Sequence, residues 1–287
     1  MASMRDIKRR KNSIQGTQQI TKAMKLVSTV KLGRARTGAE NSRFYFDAMY
    51  RTMRSILEDG ADQKHIYIGG NGSTRKAVLV IASNRGLAGG YNSSVAKLVT
   101  EDERFTPEDT DIYSIGSKGA DLLSRAGFNI VMTQNEVIED PSYHDAEAIS
   151  WRLLADFEQG RIGEIYLVYT YFKNTLVQVP KLMKLLPVAA EDMDEPEEDD
   201  GLLMNFEMSE EDALKMLVPM YVSSMIFGAL QEAAASENGA RMQAMDNATK
   251  NAEDMIADLG LKYNRARQSA ITQELTEIIA GSEAIGG

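Results

Sequence analysis

The chain has 287 residues, a formal net charge of −10, 43% apolar and 26% charged side chains, the balance of a folded protein of one or two domains with a sizeable core. It contains no Cys, which excludes disulfides, thiolate metal sites and a cysteine nucleophile, and fits a reducing compartment. The longest strongly apolar run, Leu217 to Leu230, is too short and too interrupted for a membrane span of ~20 residues, and no secretory signal is read.

Residues 1–36 carry ten Lys or Arg against Asp6 alone. Such an end would suit a transit peptide or a nucleic-acid arm, but the basic residues continue straight into a helical pattern from Ser3 to Leu57 that contains no Pro. Ser3 is placed as an N-cap with Asp6 three positions on, and Ile20, Ala23, Val27 and Val30 recur at helical spacing, predicting an apolar seam toward a partner helix. Gln15, Thr17, Gln18, Thr21 and Lys22 dilute that seam, which argues against an ordinary homodimeric zipper.

Gly60 to Thr74 is polar and glycine-bearing, a predicted linker. Beyond it the periodicity changes. Lys76–Ser83 predicts a buried strand, Asn92–Thr100 a helix, Asp111–Ile115 a strand, Ser117–Ala126 a helix and Asn129–Thr133 a short strand. Tyr143–Glu158 predicts an amphipathic helix, and Glu164–Phe172 with Val177–Leu186 a hairpin turning across Lys173 to Leu176. Strands alternating with helices make residues 75–190 a small Rossmann-like α/β domain, mostly parallel with an antiparallel edge. Trp151, Tyr166, Tyr169, Tyr171 and Phe172 sit at core spacings.

The first strand ends in Ser83-Asn-Arg-Gly-Leu-Ala-Gly-Gly-Tyr-Asn92, a glycine-rich turn of the kind that cradles phosphate on backbone N–H groups, with Arg85 adding charge. Yet Gly86, Gly89 and Gly90 fit neither the dinucleotide fingerprint nor a phosphate loop ending in Lys then Ser or Thr. The second strand ends Tyr113-Ser-Ile-Gly116 with no carboxylate placed for a ribose. A tight turn packing helix on sheet is the favoured interpretation. His65 and His144 have no partner at ligand or triad spacing, so neither a catalytic residue nor a cofactor or metal site is predicted.

Residues 191–212 hold twelve acids and no base. The spacing of Glu191–Asp200 fails the calcium-loop pattern, with Pro196 inside it, and predicts a solvated acidic excursion over 191–211. Asp212–Ala284 then predicts one helix of about 70 residues, roughly 100 Å long at ~1.5 Å per residue. Pro219 lies in its first turns, and Gly228, Gly239 and Gly260 are its weak formers. Met245, Ala248, Ala252, Ile256, Leu259, Tyr263, Ala266 and Ala270 form a near-heptad stripe, small-sided enough for a second helix to come close. The economical partner is the amino-terminal helix, so that residues 1–59 and 212–287 make an antiparallel coiled coil within the chain.

Three stretches resemble the gamma subunit of the F-type ATP synthase. They are Ala235-Ser-Glu-Asn-Gly-Ala-Arg-Met-Gln-Ala-Met-Asp-Asn-Ala-Thr-Lys-Asn-Ala252, Tyr263-Asn-Arg-Ala-Arg-Gln-Ser-Ala-Ile-Thr-Gln-Glu-Leu275 and Gln19-Ile-Thr-Lys-Ala-Met-Lys-Leu-Val27, and the loop Arg85–Asn92 joins them. Asn84 and Ala88 stand where that family usually has Asp and Cys, and the cysteine-bearing insertion of chloroplast members is missing. The resemblance implies a non-catalytic rotor, one copy per complex, inside a ring of three alpha and three beta subunits. Its α/β domain would sit on the membrane c ring beside epsilon, at the cytoplasmic face of a bacterial cell membrane. It further implies that Met24 faces an acidic lever loop of beta, and that Lys22, Lys25, Arg241, Arg267, Gln268, Thr272 and Glu274 contact the surrounding alpha and beta subunits. Two alternatives differ in class: a nucleotide-binding α/β enzyme with helical appendages, and a self-associating coiled-coil adaptor.

Overall fold

The computed structural model describes residues 4–58, 64–189 and 210–285. The predicted acidic excursion, Glu191 to Asp200, lies outside them. The chain divides into two compact units, residues 1–27 with 242–287, and residues 28–241. Two long helices, α1 (Met4–Glu58) and α6 (Glu210–Ile285), contribute to both.

In the first unit α1 and α6 pair antiparallel. Gln18 Nε2 donates to Glu253 at 3.1 Å, the Thr21 and Thr249 hydroxyls meet at 2.8 Å, and Lys25 Nζ lies 2.5 Å from Asp246. Numbers rise on one helix as they fall on the other. The α6 stripe is the predicted one: Met245, Ala252 and Leu259 are buried, while Ala248, Ile256, Tyr263, Ala266 and Ala270 are half-buried.

The α1 seam is not the predicted one. Ile20, Val27 and Val30 are 62%, 58% and 62% exposed, and Ala23 is exposed beside them. In this unit the covered stripe is shifted by one residue, to Met4, Ile7, Lys11, Ile14, Gln18, Thr21 and Lys25. A shift of one position turns the helix by ~100°. Polar side chains take the inside because the small residues of α6 let them reach Asp246, Thr249 and Glu253, so their hydrogen bonds are satisfied rather than lost.

The second unit is built on a five-stranded sheet of order β3-β2-β1-β4-β5. Its strands are β1 (Lys76–Ile81), β2 (Thr110–Ile115), β3 (Asn129–Gln134), β4 (Glu164–Phe172) and β5 (Gln178–Leu186). The first four are parallel and β5 returns antiparallel on β4. Alternation along β1 sends Val78 and Val80 to helices α3 (Tyr91–Thr100) and α4 (Ser117–Arg125), where Val95, Val99 and Leu123 meet them. Ala77, Leu79 and Ile81 go to the other face, against α5 (Tyr143–Glu158) and the α1 and α6 segments carrying Met53, Tyr221, Met225 and Leu230. By length and composition α6 holds one stretch apolar enough to cross a membrane, contrary to expectation, and 67% of it is buried within the fold.

Two further expectations change. The linker contains a four-residue helix, α2 (Ile66–Gly69), capped by His65 Nδ1, which accepts from the Tyr67 N–H at 3.3 Å. Tyr67 and Ile68 are buried there, so this segment belongs to the core. Trp151 is 62% exposed, because Ile149, Leu153, Leu154 and Phe157 take the buried face of α5.

Candidate functional site

The crevice of such a sheet opens at the carboxyl ends of β1 and β4, where the strand order reverses. Here the chain fills that position beside β1 with its own groups. The Ser83 N–H donates to Asn92 Oδ1 at 2.9 Å, and Asn92 Nδ2 donates to Ser83 Oγ at 2.8 Å. At the amino end of α4, the Ser117 N–H donates to Asn84 Oδ1 at 3.2 Å and the Lys118 N–H to the Ser83 carbonyl at 3.0 Å. The N–H groups of Ser83, Ser117 and Lys118 are therefore spent within the fold. Gly116 has a φ of +91°, and a Cβ there would stand 2.1 Å from the Ala82 carbonyl oxygen, so backbone closes on backbone. Arg85 points away, with 78% of its side chain exposed and Nη2 3.6 Å from Glu139.

The other candidate is the surface of the helix pair. On α1, Ile20, Leu26, Val27 and Val30 are each about three-fifths exposed. On α6 the register puts Met4, the first described residue of α1, opposite the stretch near Arg267. Beyond it α6 has no helical partner among the described residues. That run carries Ile271, Leu275, Ile278 and Ile279, exposed at 49%, 54%, 67% and 60%. Their spacing makes one apolar stripe, and a lone helix of under twenty residues is marginal in water. Large apolar side chains left out along a helix face mark a surface that something else covers.

The residues singled out from sequence fall into two groups. Lys22, Arg267, Gln268, Thr272 and Glu274 are exposed, and Met24 is half-buried. The remaining two are held in ion pairs within the chain. Lys25 lies on Asp246, which also takes Lys250 at 2.9 Å; hydrogen bonds from these two lysines bring the Asp246 carboxyl down to about 2. Arg241 Nη2 sits 2.7 Å from Glu237, with only 12% and 11% of the two side chains exposed. Burial raises the Glu237 carboxyl above its ordinary range, and the Arg241 charge works against that rise. The apolar tip residues were missed, although Ile271, Leu275, Ile278 and Ile279 already show helical spacing in the sequence.

A family model described as ATP synthase matches residues 3–285. The ATP synthase gamma chain of Lachnoclostridium phytofermentans is 55% identical over 291 residues, covering 99% of this chain and 100% of that one. The sodium ion specific ATP synthase gamma chain of Acetobacterium woodii is 38% identical over 299 residues, covering 99% of each. Among solved structures, a chain of the Euglena gracilis mitochondrial ATP synthase, in its OSCP/F1/c-ring assembly, shares the fold. Its TM-score is 0.72 at 22% identity, over 98% of this chain and 94% of that one.

Proposed function

The chain belongs to the family of ATP synthase gamma chains, and we propose that it works as the rotating axle of that complex, one copy within a ring of three alpha and three beta subunits. It performs no catalysis itself. The helix segments 1–59 and 212–287 form the shaft, and the α/β domain, residues 75–190, receives torque from the membrane c ring beside epsilon, on the cytoplasmic face of a bacterial cell membrane. The acidic segment 191–211 has no assigned part in this. What supports the proposal is the end of α6, which has no helical partner among the described residues and whose exposed Ile271, Leu275, Ile278 and Ile279 call for a surrounding sleeve.

The physics of coupling follows from asymmetry. One shaft cannot present the same face to three equivalent neighbours, so it favours a different conformation in each, and turning it moves that preference around the ring. The coupling lies in contacts that differ between orientations. Lys22 and Met24, with the more distal Lys8 and Arg9, supply them from α1; Arg267, Gln268, Thr272 and Glu274 supply them from α6. Lys25 and Arg241 join by sharing donors already placed by Asp246 and Glu237. The enzyme alternative is disfavoured by the closed crevice, and the self-associating adaptor by the pairing of α1 with α6 of the same chain.

The test is charge reversal in the assembled complex. Lys22→Glu, an exposed change, and Lys22→Glu with Lys25→Glu should lower ion-driven ATP synthesis while the subunits still assemble. Synthesis at the parent rate in both variants would count against the assignment.

A further inference from the structure

The strand order reverses between β1 and β4, and open α/β sheets bind their ligands in the crevice beyond such a pair of strand ends. In this chain segments that follow the carboxyl ends of β1, β3 and β4 converge on one short stretch of α6, residues 231–241. After β1, the Tyr91 hydroxyl donates to the Ala233 carbonyl at 3.3 Å, and Arg241 Nη2 reaches the Arg85 carbonyl at 3.5 Å. At the end of β4, the Thr170 carbonyl accepts from Ser236 Oγ at 3.0 Å. From the β4–β5 hairpin, Phe172, Thr175 and Gln178 close on Gly239, where a Cβ would stand 3.3 Å from Gln178 Nε2. From the segment before α5, the Pro141 carbonyl accepts from Gln231 Nε2 at 2.9 Å.

These bonds do something that the neighbouring apolar contacts do not. Ala233, Ala234 and Ala235 are buried but present low ridges, and ridges are what resist one element turning against another. Apolar burial is also non-directional, so along this small-sided stretch it opposes turning less than the bulky Tyr221, Met225 and Leu230 do earlier in the helix. A hydrogen bond weakens steeply once its angle is lost. Ser236 is fully buried and Tyr91 is 5% exposed, so a bond broken by rotation is not replaced by one to water.

We propose that the ligand edge of this sheet is a torsion key, with α6 in the place of a ligand. Tyr91, Ser236 and Gln231 are the positioning residues that stop the helix turning relative to the sheet. The proposal rests on the axle function, since a key matters only where torque passes through it. Loss of each bond shifts the equilibrium between seated and turned helix by roughly fivefold.

The experiment uses the complete complex with Tyr91→Phe, Ser236→Ala and Gln231→Leu, singly and together. Ser236→Thr, which keeps the hydroxyl, serves as the conservative variant. Three quantities are read: ATP hydrolysis without an ion gradient, ions pumped per ATP against a gradient, and angular stiffness from the fluctuations of a bead fixed to the α/β domain. The triple variant is expected to keep its gradient-free hydrolysis while stiffness and pumping per ATP fall roughly twofold or more, and Ser236→Thr to match the parent. Parent-like stiffness and pumping in the triple variant would overturn the key. So would equal losses of hydrolysis, pumping and assembly, which mark a merely structural role. Failure of the unaltered chain to support coupled pumping would instead overturn the axle function itself.

Discussion

Substitution of Ile278 and Ile279 by Gln probes the tip of α6 where its exposure is greatest. Ile278 keeps 67% and Ile279 60% of its surface in water. Full burial of such a side chain is worth ~1.5–3 kcal/mol, so covering what remains exposed on the pair yields ~2–4 kcal/mol. Gln is a good helix former of similar length, which leaves the helix intact and removes the apolar gain. Affinity for alpha–beta heads prepared without this chain should therefore fall between ~30-fold and several hundredfold. Displacement of labelled parent chain from such heads measures it, with helix content by circular dichroism as the control on folding. A change smaller than about threefold, or ~0.7 kcal/mol, would refute the inference that the tip is sheathed.

Three further outcomes are expected. In the helix pair, Thr21→Val alone breaks the 2.8 Å hydroxyl contact with Thr249 and should cost ~1 kcal/mol, while Thr21→Val with Thr249→Val recovers most of it; strictly additive thermal shifts would contradict this. Asp156 is 3% exposed and accepts from the Tyr113 hydroxyl at 2.6 Å, with Arg152 and Arg161 more than half in water on its other sides. Its replacement by Ala orphans the buried hydroxyl and should cost ~2–3 kcal/mol in urea unfolding, with Asn milder; equal stability of Ala and Asn would be the contrary result. Tyr67, Tyr91 and Tyr113 hold their protons above the ordinary 10.0 because burial disfavours the phenolate, with Glu158, Glu237 and Asp156 adding to it. The folded state thus binds the extra protons, so stability is intact below pH 10 and falls as pH rises past it. Melting curves with phenolate absorbance should show these groups ionising only as the fold is lost, and their titration near 10 in a folded chain would exclude it.

The carboxyl-terminal stripe was legible because it is apolar and it packs: Met245, Ala252 and Leu259 are buried where the spacing put them. The amino-terminal stripe misled for a physical reason. Periodicity reasoning assumes that the driest face of a helix turns inward, and on α1 the inward face includes Gln18, Thr21 and Lys25, which find partners in Glu253, Thr249 and Asp246. The motif around Ala235 was recognisable, yet its spacing does not disclose that Ser236 bonds a strand carbonyl or that Glu237 is buried against Arg241. Those partners lie 66 residues away in one case and four in the other, and only the fold brings the distant one near.

The reversal on α1 has an energetic logic suited to an axle. Holding Ile20, Leu26, Val27 and Val30 about three-fifths exposed forgoes ~1–2 kcal/mol each, a sacrifice that an isolated chain has no reason to make. A complex that covered them would recover that burial in a form that carries no direction, so the covering surface could change as the shaft turns. The inner seam has the opposite requirement. If α1 slid or rotated on α6, torque delivered to one helix would not reach the other, and small apolar contacts alone would permit that slip. The Gln18–Glu253, Thr21–Thr249 and Lys25–Asp246 contacts are each satisfied at one register, and a polar pair inside a coiled coil is the established means of fixing register. Directional bonds therefore lie where motion must be prevented, and non-directional surface lies where motion must continue.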